Sequence, residues 1–472
     1  MTPDRPRIGL LALSLELYET LAPGLRQSRE TWVRKAVLPA LADDLEVFFE
    51  GAVFRADQIQ QTVDSYRARQ VDGILVMLLT YAPSQPVLQP LRQAQLPLLI
   101  WNTQELWAVD TTFSVQAMID NHGVHGTQDL ANVLLRAKVP FHYVTSHLKD
   151  PEPSAELVDF FRAARAVRQL RSLRIGLLGY PFPGMGDFAV DTTHLAATLG
   201  CSWTILTIED YIRRAANACA RDVTRLVKTY RREYAVDPGV TQADLESAAR
   251  VELALRAMIR EHGLGAMTYQ FLAFGDDERT PTVPFVAASR LMAEGIGFGG
   301  EGDLVAAAAT AACHHLQPPA SFAEIFTVDY AENALFMSHM GEANVAMARS
   351  DRPVSLLARP TPITRTRDRQ LVLVISFAPG PATLVALTQI EGGRWRFIAA
   401  RVTIEDYGPL TGFFVPHFKV KVPGDVRQFL TAYALAGGPH HNTLCFGDAR
   451  RRVRLMAAIL GADYQEIGEN GC

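Results

Sequence analysis

Apolar and polar positions follow two different periods in the first third of the chain. Short apolar runs have the length of β-strands, and the stretches between them carry apolar residues at helical spacing. The predicted strands are Arg7–Leu13, Glu46–Phe49, Gly73–Leu78 and Leu96–Ile100, and the predicted helices are Thr31–Leu41 and Ala56–Arg69. Strand–helix alternation of this kind predicts a parallel, doubly wound α/β sheet. Ligands bind beyond the carboxyl ends of such strands.

A second region alternates in the same way and predicts a second doubly wound sheet. Its predicted strands are Arg174–Gly179, Ser202–Leu206 and Ala266–Phe271, and its predicted helices are Thr192–Leu199, Thr241–Glu261, Val286–Glu294 and Leu304–Cys313. A loop rich in proline and glycine, Tyr180–Gly186, follows the first of these strands. That loop therefore lies where a ligand is expected.

The pattern changes after residue 319 to strands separated by turn signals. The predicted strands are Gln370–Phe377, Thr383–Ile390, Arg394–Thr403 and His417–Val422, with helices at Val426–Leu435 and Arg451–Leu460. This spacing predicts a mainly antiparallel β region. Because 472 residues are too many for one core, we expect an N-terminal α/β domain over residues 1–172, a central α/β domain over 173–322 and a C-terminal β-rich domain over 323–472.

Composition narrows the class of protein. Hydrophobic residues make up 48% and charged residues 20%, as in soluble globular proteins. The net charge of −4 predicts neither nucleic acid nor a membrane surface as a partner. The first apolar run is followed by Glu16 and Glu19, which indicates a strand rather than a signal peptide. We therefore expect a cytoplasmic enzyme or binding protein for a small molecule.

The segment GFGGEGD, Gly297 to Asp303, combines four glycines with two acids just before a predicted helix. Glycines allow left-handed backbone and close approach of another group. The segment has two interpretations: a helix start whose acids complement the helix dipole, or a site in which Glu301 and Asp303 do chemistry. It is not a P-loop, because no Gly-Lys-Ser/Thr follows.

Five histidines lie near predicted loops rather than at short-range metal-ligand spacing: His122, His125, His339, His440 and His441. A metal site must therefore be assembled from distant segments. Two carboxylates and two imidazoles suit Mn²⁺, Co²⁺ or Mg²⁺ better than structural zinc.

Five segments together resemble the L-arabinose isomerase family and, more distantly, the L-fucose isomerases. The strongest is Arg290–Asp303, RLMAEGIGFGGEGD, which resembles the family's RLM-x-EG-x-GFGGEGD. Ala434–His441 is similar to its LAGG-x-HH segment, and Asn121–Gly126 to its N-x-x-x-HG segment. Val71–Ile74 and Leu98–Gln104 resemble strands of its first domain.

The resemblance implies roles for individual residues. Glu301 corresponds to a glutamate that is both a metal ligand and an acid/base group, and His339 and His441 correspond to metal-binding histidines. His125 corresponds to an active-site histidine near the substrate. The implied cofactor is a divalent metal, Mn²⁺ before Co²⁺ or Mg²⁺. The implied assembly is a homo-oligomer, a hexamer in the family, in which a neighbouring subunit could supply His125.

The second family carboxylate is expected near Phe326–Tyr330, where the family has Glu-Asp-Tyr. Val328 occupies the glutamate position in this comparison. We therefore expect the adjacent Asp329 to supply the second metal-binding and catalytic carboxylate, which requires a slight shift of the strand.

Further differences from the family fall at positions expected to contact the substrate. Leu15 and His122 each replace a family glutamine, and Glu16 lies beside the first of them. The other candidate substrate contacts are Met185 and Phe188, for which ordinary loop packing is an equal alternative, and His440. These differences favour an altered sugar pocket.

The implied reaction is aldose–ketose isomerisation of a pentose or related sugar, with proton transfer between C1 and C2 through a cis-enediol. Glu301 and Asp329 are the expected acid/base pair. Two alternatives remain: a superfamily isomerase that acts on a different sugar, and a non-catalytic sugar-binding protein.

Overall fold

The computed structural model describes residues 5–275, 279–359, 364 and 366–468. These form two compact units, the first ending at Arg168 and the second beginning at Gln169. The predicted domain limits at residues 1 and 472 lie outside the described residues.

The first unit is built on a sheet of six parallel strands. The strands are β1 (Arg7–Leu13), β2 (Glu46–Phe48), β3 (Ala52–Val53), β4 (Gly73–Leu78), β5 (Leu98–Asn102) and β6 (His142–Thr145). The helices are α1 (Tyr18–Leu21), α2 (Leu25–Trp32), α3 (Leu38–Leu41), α4 (Ala56–Ala68), α5 (Gln85–Ala94), α6 (Val115–Asp120), α7 (Val124–Arg136) and α8 (Ala155–Arg171), and a π-helical segment, Val33–Val37, joins α2 to α3. The sheet order is β2-β1-β4-β5-β6, with β3 also beside β1. Every residue of β4 is buried, as expected for a parallel strand covered on both faces.

The second unit begins with a four-stranded parallel sheet, β11-β10-β7-β8. Its strands are β7 (Arg174–Leu178), β8 (Ser202–Leu206), β10 (Ala266–Tyr269) and β11 (Gly297–Gly299), and the short β9 (Ala235–Val236) belongs to another sheet. The helices are α9 (Thr192–Leu199), α10 (Ile208–Ala216), α11 (Ala220–Glu233), α12 (Gln242–His262), α13 (Phe285–Ala293) and α14 (Leu304–Leu316). The predicted doubly wound arrangement is confirmed in both regions.

The remainder of the second unit is a mainly antiparallel sheet in the order β16-β19-β12-β13-β18-β17-β20. Its strands are β12 (Ala320–Asp329), β13 (Ala334–Ser338), β16 (Gly380–Gln389), β17 (Trp395–Ile404), β18 (His417–Lys421), β19 (His441–Phe446) and β20 (Asp463–Glu466). The other elements are β14 (Ser355–Arg359) and β15 (Gln370–Val374), which form a small sheet with β9, and the helices α15 (Val426–Leu435) and α16 (Arg450–Leu460). Strands β16 and β17 also pair, so six strands close into a ring. The predicted antiparallel region is confirmed.

The core of the second unit has two parts. One surrounds the parallel sheet and includes Tyr269, Phe298 and Phe322, and the other fills the antiparallel sheet. Strand β12 runs across residue 322, where the predicted central domain ends, and that boundary stays a prediction. Among the described helices, none is both long enough and apolar enough to cross a membrane.

Candidate metal and active site

The glycine-rich segment lies at the carboxyl edge of the second unit's parallel sheet. Strand β11 ends at Gly299 and helix α14 begins at Leu304, so Glu301 lies in the loop between them. The loop after β7 reaches the same edge, because the Phe182 amide donates to the Glu301 carbonyl at 2.9 Å. Parallel sheets bind ligands at this edge.

Glu301 has a backbone conformation that residues with a side chain rarely adopt. Its φ angle is 58°, and that of Gly302 is 88°. The Thr268 hydroxyl stabilises the turn, because it accepts from the Gly302 amide at 3.0 Å and donates to the Gly300 carbonyl at 3.3 Å. A Cβ atom on Gly302 would lie 2.5 Å from Pro181 Cα. Strained backbone of this kind costs about 1–3 kcal/mol and clusters at functional sites.

Asp303 has two functions in the same segment. Its Oδ1 accepts from the amides of Val305 and Ala306 at 2.7 and 2.9 Å, which caps helix α14. Its Oδ2 accepts from His441 Nδ1 at 2.8 Å. The helix-start interpretation of the segment therefore holds for Asp303, and the same carboxylate orients an imidazole beside Glu301.

Strand β12 places a second carboxylate at the site. Glu324 lies opposite His441 of β19 on one side and opposite Ser338 of β13 on the other. Glu324 Oε1 is 3.0 Å from His441 Nε2, and Glu301 Oε2 is 3.6 Å from the same nitrogen. Side chains that oppose each other across neighbouring strands meet at short range, so strand register brings these groups together.

His440 lies at the more open side of the site. Asp187 Oδ2 accepts from both the amide and Nδ1 of His440, at 3.0 and 2.6 Å. His440 Nε2 is 3.7 Å from Glu301 Oε2 and 3.7 Å from Glu324 Oε1. Asp187 thus attaches the loop after β7 to the strand that carries His441.

His339 follows β13 directly and is buried beside these groups. Its ring packs edge-on against Phe322 with a centroid distance of 4.8 Å, and Phe322 makes a second edge-on contact with the His441 ring at 4.9 Å. The centroids of the two histidine rings are 6.5 Å apart. His339 Nδ1 donates to Glu342 Oε2 at 2.5 Å. All three imidazoles therefore have a carboxylate at Nδ1, which leaves Nε2 as the remaining ring nitrogen.

Opposite charges shift the pKa values of these groups away from their ordinary range. Burial raises the pKa of the Glu301 carboxyl, but the imidazoles of His440 and His441 outweigh burial and lower it to about 2. Burial lowers the pKa of His440, but Asp187 and Glu301 outweigh it and raise that pKa to about 9. The hydrogen bond with His440 lowers the pKa of Asp187 to about 2. These pKa shifts follow from carboxylates and imidazoles that lie close together in the site.

The donor set fits a divalent cation. Ligand atoms of Glu301, Glu324, His440 and His441 all lie within 4.8 Å of one another. Two of these atoms, Glu301 Oε2 and His441 Nε2, are buried and have no hydrogen-bond partner among the described residues. Buried polar atoms are nearly always satisfied, so this pair of atoms is suited to a shared cation. Carboxylate oxygens and imidazole nitrogens suit Mn²⁺ or a similar ion.

Asp329, the carboxylate expected from the sequence, does not belong to this group. It is the last residue of β12 and lies opposite Ala334. Its Oδ2 is 2.7 Å from Lys419 Nζ, and its Oδ1 accepts from the Glu332 amide at 2.9 Å. Five residues of extended strand correspond to about 16 Å, so the pairing register separates Asp329 from the histidines. The slight strand shift expected from the sequence would not bring Asp329 to the histidines.

Glu324 is the residue that the sequence interpretation missed. It lies in a run of apolar and small residues, Ala320–Val328, and is the only charged residue of that run. A lone charge inside an otherwise apolar strand was the available signal, because an unpaired buried charge is costly. Glu324 gives the site a second carboxylate, although Val328 occupies the position where the family glutamate was expected.

Phe188 and Met185 differ in their positions. The buried Phe188 ring stacks on His441 with a centroid distance of 5.4 Å and an interplanar angle of 9°. Phe188 therefore forms part of the wall around the candidate ligands. Met185 is half-buried in the preceding turn, where its amide donates to the Phe182 carbonyl.

The remaining predicted residues lie in the first unit, at the carboxyl edge of its sheet. His122 Nδ1 donates to a backbone carbonyl and therefore carries the ring hydrogen. His122 Nε2 is then the acceptor, and the Tyr18 hydroxyl donates to it at 2.7 Å. The exposed His125 ring stacks on Tyr81 at 4.9 Å. Glu16 is exposed, 4.0 Å from an arginine. Tyr18, His122 and His125 thus form a polar aromatic group where a doubly wound sheet binds ligands, and Glu16 lies near it in sequence.

Comparison with known proteins identifies the family. Sequence profiles of the L-arabinose isomerase N-terminal, central and C-terminal domains match residues 19–172, 185–317 and 319–463. The L-arabinose isomerase of Mycolicibacterium smegmatis is 28% identical over 425 residues, which cover 86% of this chain and 82% of that protein. The enzyme of Nocardioides sp. is 29% identical over 404 residues, and these cover 83% of this chain and 79% of that protein.

A search of solved structures gave only weak overlap. A solute-binding protein of an ABC transporter from Agrobacterium vitis, bound with alpha-D-tagatopyranose, is 13% identical, with a TM-score of 0.16 over 56% of this chain and 76% of that chain. The three domain profiles, in contrast, match nearly the whole chain in the expected order. The chain belongs to the L-arabinose isomerase family and is an isomerase.

Proposed function

We propose that this isomerase interconverts L-arabinose, or a closely related aldose, with the corresponding ketose in a reaction that needs a divalent metal. The single observation that carries the proposal is the group of Glu301, Glu324, His440 and His441, whose ligand atoms lie within 4.8 Å of one another. The relatives named above supply the sugar, since both are L-arabinose isomerases.

Glu301, Glu324 and His441 would hold the metal, with His339 as the fourth ligand implied by the family resemblance. Mn²⁺ is the proposed ion, and Co²⁺ or Mg²⁺ would fit the same donors. When bound, the metal supplies Lewis-acid polarisation of the sugar carbonyl. The chain supplies a rigid ligand, because Asp303 fixes the His441 imidazole through Nδ1.

Glu301 and Glu324 are the proposed acid/base pair, with Glu324 in the role that the sequence assigned to Asp329. One carboxylate removes the proton from C2 of the open-chain aldose and returns it to C1 through the cis-enediol. The other transfers the hydroxyl proton between O2 and O1, so that no proton is gained or lost overall. His440, fixed by Asp187, is proposed to orient a sugar hydroxyl, and Phe188 limits the space beside it.

A different sugar is the second candidate. The observation that favours it is the set of differences from the family in the first unit, where Leu15 and His122 replace glutamines. His122 is fixed by Tyr18 rather than free to rotate, so its hydrogen-bonding pattern differs from that of an amide. Membership of an isomerase family argues against the third reading, a sugar-binding protein without activity.

The decisive experiment assays ketose formation with a panel of pentoses and hexoses. The protein is first stripped of metal with a chelator and then assayed with and without added Mn²⁺. We expect turnover only after Mn²⁺ is restored, with L-arabinose the preferred sugar, and loss of turnover in Glu301→Gln. Full activity in the stripped protein would contradict the metal-dependent reaction, and preference for another sugar would favour the second candidate.

The homo-oligomer and the cytoplasmic location stay predictions from the family resemblance and the sequence. Size-exclusion chromatography with light scattering would measure the first. A hexamer is the expected result.

A further inference from the structure

A buried carboxylate behind His339 has no role in the proposed reaction. Glu342 is 2% exposed and lies in the loop that follows β13. Its Oε2 accepts from His339 Nδ1 at 2.5 Å, and its Oε1 accepts from the Tyr269 hydroxyl. Burying a carboxylate is costly unless it is paired and hydrogen-bonded, so this arrangement needs an explanation.

The loop around Glu342 is fixed from several sides. The Ser289 hydroxyl, on α13, donates to the Gly341 carbonyl at 3.4 Å and accepts from the Ala343 amide at 3.3 Å. A Cβ atom on Gly341 would lie 2.4 Å from the Phe285 ring, so the loop backbone packs directly on α13. Glu342 is thus presented by rigid surroundings.

Tyr269 provides the second support. It is the last residue of β10, is 1% exposed, and packs against Phe298 at 5.2 Å. Its hydroxyl donates to Glu342 and so fixes the orientation of the carboxylate. The chain Tyr269–Glu342–His339 therefore runs from the parallel sheet to the candidate metal site.

The far end of this chain points toward the glycine-rich segment. A Cβ atom on Gly300 would lie 3.1 Å from His339 Nε2, so the absence of a side chain at Gly300 leaves room for that nitrogen beside Glu301. With Nδ1 occupied by Glu342, Nε2 is the only ring nitrogen that can bind a ligand. A hydrogen-bonded carboxylate also makes an imidazole a better ligand.

We propose that Glu342 and Tyr269 are positioning residues that fix the rotamer and tautomer of His339 for metal binding. The inference rests on the proposed function, because it assigns these residues to that metal site. The chain offers a matched control: Tyr230, fully buried, donates to the fully buried Glu252 at 2.7 Å in a pair away from the site.

The test compares Tyr269→Phe and Glu342→Gln with the control Tyr230→Phe in metal-stripped full-length protein. Mn²⁺ affinity is measured by calorimetry, and thermal stability is measured without metal. Loss of a carboxylate that orients a ligand weakens metal binding by about 10–100-fold. We expect that loss for Glu342→Gln, a smaller loss of the same sign for Tyr269→Phe, and unchanged affinity for Tyr230→Phe.

Stability alone does not decide the question, because all three changes remove a buried hydrogen bond. The proposal is overturned if Glu342→Gln and Tyr269→Phe bind Mn²⁺ as tightly as the unsubstituted chain. It is also overturned if Tyr230→Phe weakens binding equally. An unsubstituted chain that binds Mn²⁺ but isomerises no sugar would contradict the proposed function and leave the positioning role standing. A chain that binds no Mn²⁺ would contradict both.

Discussion

The two ends of strand β12 carry similar side chains in different surroundings. Glu324 lies between β13 and β19, opposite Ser338 and His441, and its carboxylate is 16% exposed. Asp329 lies at the end of the strand, where it pairs with Lys419 and is 31% exposed. The difference shows that a carboxylate belongs to the site through its cross-strand partners rather than through its distance from a sequence motif.

The largest expected effect separates these two carboxylates in catalysis. Glu324→Gln removes the proposed proton-transferring group and metal ligand, so kcat/KM with the best sugar should fall by about 10²–10⁴-fold or more. Asp329→Asn should leave it within about twofold, because Asp329 contacts Lys419 instead of the candidate site. Initial-rate assays of both variants measure the effect, and equal losses would remove the distinction.

The next effect concerns the carboxylates that orient histidines. Asp303→Ala removes both the cap of α14 and the partner of His441 Nδ1, whereas Asp425→Ala removes the cap of α15 and an exposed ion pair with Arg427. The lost cap should cost about 1 kcal/mol of stability in each variant, but only Asp303→Ala should weaken Mn²⁺ binding, by about 10–100-fold. Urea denaturation and calorimetry separate the two quantities. Weaker Mn²⁺ binding in Asp425→Ala would show that losing a helix cap, rather than the partner of His441, lowers the affinity for the metal.

A smaller effect is expected from pH in the metal-stripped chain. The pKa of His440 is about 9 in the folded protein against an ordinary value of 6.5. Because folding raises the pKa of His440, the protonated ring contributes to the free energy of unfolding. This contribution is fully present below pH 6.5 and is lost as pH rises through 9. Asp187→Asn should lower this pKa toward its ordinary value, measured by NMR titration. Asp191→Asn, which removes a charge from the N-cap of α9 but keeps an oxygen acceptor there, is the control and should leave the His440 titration unchanged.

The smallest effect belongs to the solvent end of β12. Asp329→Asn removes an ion pair with Lys419, which keeps Glu405 at 3.7 Å as a second partner. Ion pairs of this kind near the protein surface contribute little to stability, so the midpoint of urea unfolding should hardly move. A large drop in that midpoint would show that Asp329 has a structural role that its contacts do not explain.

Much of the fold could be predicted from hydrophobic periodicity alone. Strands β1 and β4 and the helices α9 and α15 have the predicted bounds. Strand β12 was not predicted, because it directly follows a Pro-rich turn and crosses the predicted domain boundary at residue 322. Its pairing with β19 spans more than a hundred residues, and strand register over such distances is not encoded in local periodicity.

The site could be predicted only in part, for the same reason. Glu301 and His441 stand in motifs with a recognisable spacing, and the structure brings them together. Glu324 stands in no motif and reaches them through its cross-strand position. Sequence comparison suggested the neighbouring Asp329, five residues away on the same strand. Only the register of β12 between β13 and β19 distinguishes the two.

Anomalous X-ray diffraction from crystals grown with Mn²⁺ tests the central claim most directly, because it locates the ion without reference to activity. The account predicts one strong anomalous peak, from an Mn²⁺ ion bonded to Glu301, Glu324 and His441 with His339 Nε2 as a further ligand. It predicts no peak near Asp329. An Mn²⁺ ion bonded to Asp329, or a site at Glu301 that excludes Glu324, would contradict it.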